Sequence, residues 1–182
     1  MAEPNPEELV DLGMLSYDKQ DFSKARKYFE RACGLNNGRG CNNLGVLYRD
    51  DQGVEKNLTK AAQFYSKACG LNLGIGCSLL GTLYQNGQGV EKDLIKAAYF
   101  YTKACDLKEG DGCLRLGEMQ RSGEGVVKNR KQAMKNFKKG CELKNELACV
   151  GYIATEAEIM KERCELGDEV ACDTLEQLLD LK

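Results

Sequence analysis

The 182-residue chain contains no histidine, which removes the commonest general base and a common zinc ligand. Cys-x-x-Cys pairs are also absent, so neither a zinc site nor a thioredoxin-like redox motif is predicted. No apolar run approaches the roughly 18 residues of a membrane span. The 26 basic and 28 acidic residues are interspersed, without the basic stripe that nucleic acid requires. We therefore expect no metal, cofactor, membrane span or nucleic-acid partner.

Cysteine is abundant, with ten residues in the chain. An even and large number of cysteines is typical of an oxidising compartment rather than the cytosol. The first ten residues, MAEPNPEELV, lack the apolar core of a signal peptide. We expect an exported protein, periplasmic or secreted, from which the signal peptide has been removed.

The cysteines also reveal an internal repeat of 36 residues. One cysteine series is followed, eight positions later in each unit, by a second series. The two series are Cys33, Cys69, Cys105 and Cys141, and Cys41, Cys77, Cys113 and Cys149. A fifth pair, Cys164 and Cys172, keeps the spacing of eight but comes early.

Apolar residues within each unit follow helical spacing, in two segments per unit. In the second unit they are Leu44, Leu47 and Tyr48, then Ala61, Phe64, Tyr65 and Ala68. The sequence therefore predicts an all-α fold of helix pairs. The mid-helix glycines Gly45, Gly81 and Gly117 are expected where two helices touch closely. The Gly-x-Gly turns Gly38/Gly40, Gly74/Gly76 and Gly110/Gly112 are expected to end a helix in the left-handed conformation.

The repeat divides the chain into units within one domain, residues 1–182. The units span about 7–38, 39–74, 75–110 and 111–146, followed by a truncated unit with a capping helix at 147–182. The first unit is shorter, because Gly13 and Gly45 lie 32 residues apart. Between Cys149 and Cys164 there is room for one helix only. The segment from Val170 to Leu181 is predicted to cap the array.

Each cysteine pair falls at the junction between one unit and the next. A tight turn there would bring the two sulfur atoms within bridging range. Five local disulfides are thus predicted: Cys33–Cys41, Cys69–Cys77, Cys105–Cys113, Cys141–Cys149 and Cys164–Cys172.

The string LGVLYRDDQGVEKNLTKAAQFYSKAC, repeated as LGTLYQNGQGVEKDLIKAAYFYTKAC, resembles the Sel-one-like relative of the tetratricopeptide repeat. With the added cysteine pair, residues 7 to 149 resemble the Helicobacter cysteine-rich protein family. The resemblance implies an exported, disulfide-stapled, right-handed α/α solenoid with a concave face that binds peptides. Some members of that family are described as penicillin-binding or weakly β-lactam-hydrolysing.

In the tetratricopeptide pattern, the first helix of each unit lines the inner groove. The residue before the Leu-Gly pair and its helical neighbours face that groove. The predicted groove residues are Asn43, Val46, Arg49, Leu79, Thr82, Gln85, Asn86, Arg115, Glu118 and Arg121. Asn43 matches a position at which some tetratricopeptide domains hold a peptide main chain. We expect a monomer that binds a peptide or peptidoglycan-like ligand there, the alternative being a merely solvated polar surface.

A serine-type β-lactam enzyme would show Ser-x-x-Lys, Ser-Asp-Asn and Lys-Thr-Gly elements. The sequence Ser16-Tyr17-Asp18-Lys19 matches the first, and the other two are missing. Ser16 also occupies the repeat position of Tyr48, three residues after the packing glycine. We therefore predict a structural role for Ser16 and assign no catalytic residue. Weak β-lactam binding or hydrolysis remains the alternative function.

Overall fold

The computed structural model describes residues 4–180, which contain ten α-helices and no strand. The helices are α1 (Pro6–Asp18), α2 (Phe22–Gly34), α3 (Gly38–Arg49), α4 (Leu58–Gly70), α5 (Gly74–Asn86), α6 (Leu94–Asp106), α7 (Gly110–Ser122), α8 (Arg130–Glu142), α9 (Glu146–Glu165) and α10 (Glu169–Asp180). The all-α prediction is confirmed. Within residues 4–180, no helix has the length and apolarity needed to cross a bilayer.

Each helix packs against the next, so the helices form a linear array of pairs, an α/α solenoid. The first helices of successive units, α1, α3, α5, α7 and α9, also contact one another. The second helices α2, α4, α6 and α8 show no comparable contacts within the described residues. Neighbouring units approach most closely on the inside of a curved array. The first helices therefore line the concave face.

Polar side chains fix where the second helices begin. The side-chain oxygens of Asn57, Asp93 and Asn129 accept hydrogen bonds from backbone N–H groups in the first turns of α4, α6 and α8. These three residues lie 36 positions apart, at the end of the long loop of each unit. Each bond satisfies a donor that the helix itself cannot. The repeated loop sequence thus sets the same helix start in three units.

The left-handed residues at the unit junctions are not the glycines that the sequence predicts. Asn36, Asn72, Lys108 and Lys144 adopt the left-handed conformation, with φ between 59° and 64°. Gly38, Gly74 and Gly110 are instead the first residues of α3, α5 and α7. The prediction of glycine caps was therefore wrong. Asparagine tolerates this conformation, and the surrounding backbone hydrogen bonds hold lysine in it at the third and fourth junctions.

The second glycine of each turn allows two backbones to approach. A Cβ atom on Gly40, Gly76 or Gly112 would lie 2.5–2.8 Å from the Cβ atom of the facing alanine. Those alanines are Ala32, Ala68 and Ala104, on the preceding helix. At the fourth junction the two residue types are exchanged, and Gly140 faces Ala148 at 2.7 Å. Each of the first four junctions therefore has one glycine facing one alanine.

The mid-helix glycines lie where two helices touch closely, as predicted, and the group they contact is an aromatic ring of the second helix. A Cβ atom on Gly45 would lie 2.6 Å from Tyr65 Cε1, and one on Gly81 would lie 2.8 Å from the Tyr101 ring. Any side chain there would displace the ring. The rings at this repeat position are fully buried beneath the first helices. They are Phe29, Tyr65, Tyr101 and Phe137.

The last unit has one continuous first helix. α9 carries both Cys149 and Cys164, so the prediction of a single helix between them is confirmed. α10 begins at Glu169 and packs on α9, as the predicted cap should. Leu181, the predicted end of this cap, lies outside the described residues.

All five predicted disulfides are present. Each joins the end of one helix to the first turn of the next, across a Cα–Cα distance of 4.5–4.8 Å. Residues 4–180 contain all ten cysteines, and none of them is free. Such a dense set of bridges is typical of an oxidising environment.

Candidate functional site

The ten predicted groove residues lie on α3, α5 and α7, the first helices of three consecutive units. All are partly buried except Asn86, which is exposed at the end of α5. They vary from unit to unit, whereas the glycines, alanines and cysteines of the framework repeat. In a solenoid, such variable positions are those available for specific contacts.

A pocket of about 200 Å³ lies at the N-terminal end of this strip. It is lined by Met14, Tyr17, Phe29, Asn43 and Val46. The Asn43 amide nitrogen lies 3.4 Å from the Met14 sulfur. The walls are thus largely apolar, with an amide and a phenol at the rim.

Three residues of this pocket were missed by the sequence reasoning. Met14 and Tyr17 precede Val46 and Arg49 by 32 residues, which is the length of the shortened first unit. Applying that offset would have placed both on the groove strip. Phe29 belongs to a second helix, and no pattern in the sequence shows that its ring reaches a pocket.

In the third unit, polar groove residues bind a buried phenol. The Tyr101 hydroxyl donates to Gln85 Oε1 at 2.7 Å and lies 3.1 Å from Thr82 Oγ1. Burial raises the pKa of Tyr101. Thr82 and Gln85 therefore hold the ring beneath α5. Because both side chains are engaged with Tyr101, they have fewer hydrogen-bonding groups left for a ligand.

The second unit differs at the same place. Val46 and Arg49 replace the threonine and the glutamine, and Arg49 is bound to Asp50 through two hydrogen bonds of 2.6 and 2.7 Å. The Tyr65 hydroxyl is buried and has no hydrogen-bond partner among residues 4–180. Burial raises the pKa of Tyr65 to about 12, while the nearby charge of Arg49 acts in the opposite direction. The hydrogen bond from Arg49 lowers the pKa of Asp50.

The fourth unit contributes two arginines. Arg115 lies 3.6 Å from Asp111 and 3.3 Å from Glu118, within α7. Arg121 lies 4.0 Å from Glu158 and above the Phe137 ring. These are partly exposed pairs, which contribute little to stability. A ligand carboxylate can therefore compete for both guanidinium groups at small cost.

Ser16 has a local role in the structure. It is buried within α1, and its hydroxyl donates to the Leu12 carbonyl at 2.8 Å. Serine commonly forms this bond to its own helix. Within residues 4–180, no three Cys, Asp or Glu side chains are placed to share a metal ion.

The repeat units of this chain match a known family. The family model for the Sel1 repeat matches residues 12–37, 38–73, 75–109 and 110–145, which is most of the chain. The chain belongs to the Sel1 repeat family. It is therefore a helical repeat scaffold, an architecture suited to protein–protein interaction.

Relatives from Helicobacter pylori narrow the classification. HcpC of strain J99 is 62% identical over 58 residues, which cover 32% of this chain and 20% of HcpC. Beta-lactamase HcpA of the same strain is 52% identical over 58 residues, covering 32% of this chain and 23% of HcpA. The solved structure of Helicobacter pylori cysteine rich protein B is 49% identical, with a TM-score of 0.59 over 71% of this chain and 92% of that one.

The resemblance to the Helicobacter cysteine-rich proteins is thereby confirmed. The matched segment spans only about a fifth of the length of HcpC and of HcpA.

Proposed function

We propose that this protein is an exported scaffold that binds a peptide or the peptide part of a peptidoglycan-like ligand in its concave groove. The observation that carries the proposal is the pocket of about 200 Å³ between α1 and α3, which continues into a strip of amide and arginine side chains on α3, α5 and α7. The Sel1 repeat architecture supports it. The five disulfides support export, because such bridges persist in oxidising compartments.

The chemistry of the strip favours an extended chain with an acidic group. The Asn43 amide offers both a donor and an acceptor, which matches the N–H and C=O groups of a peptide main chain. Arginine binds carboxylates through two parallel hydrogen bonds. The pocket beside Asn43 is lined by Met14, Phe29 and Val46 and suits one apolar side chain.

Replacing Asn43 and Arg115 together by alanine is expected to weaken peptide binding at least about tenfold, because one main-chain contact and one carboxylate contact are lost. The melting temperature should change little, since both side chains are partly exposed. Fluorescence anisotropy with a labelled peptide, Gly-Ser-Gly-Glu-Ala-Ser-Leu with a free C-terminus, measures the affinity.

The matched control is the double change of Lys27 and Lys135 to alanine. These two lysines occupy the same repeat position, on the second helices α2 and α8, and both are exposed. Their loss should leave the affinity unchanged. If the lysine variant lost binding and the Asn43/Arg115 variant kept it, the ligand would bind the outer surface and the proposal would fail.

A second candidate function is β-lactam binding or hydrolysis, because HcpA is named as a β-lactamase. We expect Ser16→Ala to leave any such turnover unchanged within error, since the Ser16 hydroxyl is buried and bonded to the Leu12 carbonyl. Hydrolysis of a chromogenic cephalosporin by the oxidised protein measures this. Complete loss of turnover in a folded Ser16→Ala variant would give Ser16 a catalytic role.

A further inference from the structure

One buried aromatic ring lies beneath the concave face in each of the first four units. Two of the rings, Phe29 and Phe137, carry no hydroxyl. In the third unit, the hydroxyl of the Tyr101 ring donates a hydrogen bond to Gln85 and lies within hydrogen-bond distance of Thr82. The hydroxyl of the remaining ring, Tyr65 in the second unit, is buried without a partner among residues 4–180.

The unpartnered hydroxyl of Tyr65 requires an explanation. A buried hydroxyl without a partner costs free energy, and phenylalanine would avoid this cost, as it does in the first and fourth units. By the repeat, the Tyr65 hydroxyl faces the positions of Val46 and Arg49, which correspond to Thr82 and Gln85. Valine cannot form a hydrogen bond, and Arg49 is bound to Asp50 instead.

The surroundings of Tyr65 indicate what could supply the missing partner. Arg49 is close enough for its charge to affect both Tyr65 and Tyr17, and its side chain is 36% exposed. Tyr17 and Val46 also line the apolar pocket. An arginine, an unpartnered phenol and an apolar pocket therefore adjoin one another on the inner face of the first two units.

We infer that the second unit holds a subsite for a carboxylate that stands next to an apolar side chain. Arg49 turns away from Asp50 and opens access to the Tyr65 hydroxyl, which is otherwise closed to solvent. The ligand carboxylate then binds Arg49 in place of Asp50 and accepts a hydrogen bond from Tyr65, and the apolar side chain enters the pocket between Met14, Phe29 and Val46. This inference rests on the proposed function. It adds the chemical class of the ligand and the residues that select it.

The exchange of carboxylates explains why binding is favourable. Arg49 keeps an equivalent partner when the ligand takes the place of Asp50, and Asp50 returns to water. The net gain is the hydrogen bond from Tyr65, which Asp50 does not receive, together with the filled pocket. An amide in place of the carboxylate accepts more weakly and does not compete for Arg49.

The carboxylate can come from a peptide C-terminus or from an acidic side chain, and three labelled peptides separate these sources. The first is Gly-Ser-Gly-Ser-Ala-Ser-Leu, which has no acidic side chain, with a free C-terminus. The second is the same peptide with a C-terminal amide. The third carries Leu-Asp-Gly and a C-terminal amide. A preference for the first identifies an α-carboxylate, and a preference for the third identifies a side-chain carboxylate.

The variant that tests the inference is Tyr65→Phe. It should raise the melting temperature, because an unpartnered buried hydroxyl is removed. It should also lower the affinity for the preferred acidic peptide by about five- to tenfold. Affinity for the uncharged amide peptide should not change. Tyr101→Phe is the matched control, and it should lower the melting temperature, because two hydrogen-bonding neighbours lose their partner, while leaving peptide affinity unchanged.

Arg49→Gln is the second variant, because it gives Tyr65 the acceptor that Gln85 gives Tyr101. It should abolish the preference for the acid over the amide. If Tyr65→Phe stabilised the protein without changing any affinity, or lowered the stability and all affinities alike, the subsite would be refuted. The proposed function would still stand if the Asn43/Arg115 double variant weakened binding. If none of the three peptides bound the unaltered protein, the proposed function would fail with it.

Discussion

Reduction of the five disulfides is expected to abolish the cooperative unfolding transition of this protein. Each bridge closes a loop of eight residues and contributes roughly 2.5 kcal/mol on the chain-entropy model. Five bridges together approach the whole free energy of unfolding of a typical domain, about 5–15 kcal/mol. Each unit buries only a small set of alanines and leucines and one large ring. The contribution of hydrophobic burial to the free energy of unfolding is therefore small.

Circular dichroism during heating, with and without a phosphine reductant, measures the effect. Replacing one pair, Cys69 and Cys77, by alanine provides the graded control. It should lower the melting temperature by about 5–10 °C, given about 2–4 °C per kcal/mol for a chain of this size. A fully reduced protein that melts as cooperatively as the oxidised one would show that packing alone stabilises the array.

Gly112→Ala is expected to lower the free energy of unfolding by about 3 kcal/mol. The added Cβ would lie 2.5 Å from Ala104 Cβ, 2.9 Å from the Cys105 nitrogen and 3.0 Å from the Tyr101 carbonyl oxygen. Two of these neighbours are backbone atoms of α6, and they cannot move away from the added Cβ atom without distorting the helix. The junction between α6 and α7 must then open at its tightest point.

The fourth junction provides the rescue experiment, because Gly140 there faces Ala148. Adding Ala104→Gly to Gly112→Ala reproduces that arrangement and should recover at least half of the lost stability in urea unfolding. Gly70→Ala is the control, since a Cβ atom there would meet nothing within 4 Å. Equal losses for Gly70→Ala and Gly112→Ala would mean that close approach is not what these glycines provide.

Much of the fold follows from the sequence because the repeat multiplies each signal. One helical stripe of leucines and alanines is weak evidence, but the same stripe at intervals of 36 residues, bounded by cysteine pairs, leaves few alternatives. The disulfides follow for the same reason. The junction glycines were misassigned because glycine serves both left-handed turns and close approach, and the pattern does not distinguish these uses. Asn36 and Lys108 take the left-handed positions instead.

The candidate site was only partly predictable. Helical phase predicts that Asn43, Arg49 and Arg115 lie on the inner face, since the spacing of a helix fixes its faces. It does not reveal that Arg49 turns to Asp50 or that Tyr65 is left without a partner, because those contacts depend on side-chain conformations across two helices.

A crystal structure with the peptide Gly-Ser-Gly-Glu-Ala-Ser-Leu tests most directly whether the concave face binds a peptide through a carboxylate. We expect continuous peptide density along the inner faces of α1, α3 and α5, with a carboxylate within hydrogen-bond distance of Arg49 and Tyr65 and an apolar side chain beside Met14 and Val46. Peptide density on the outer faces of α2, α4 and α6, with Arg49 still bound to Asp50, would contradict it.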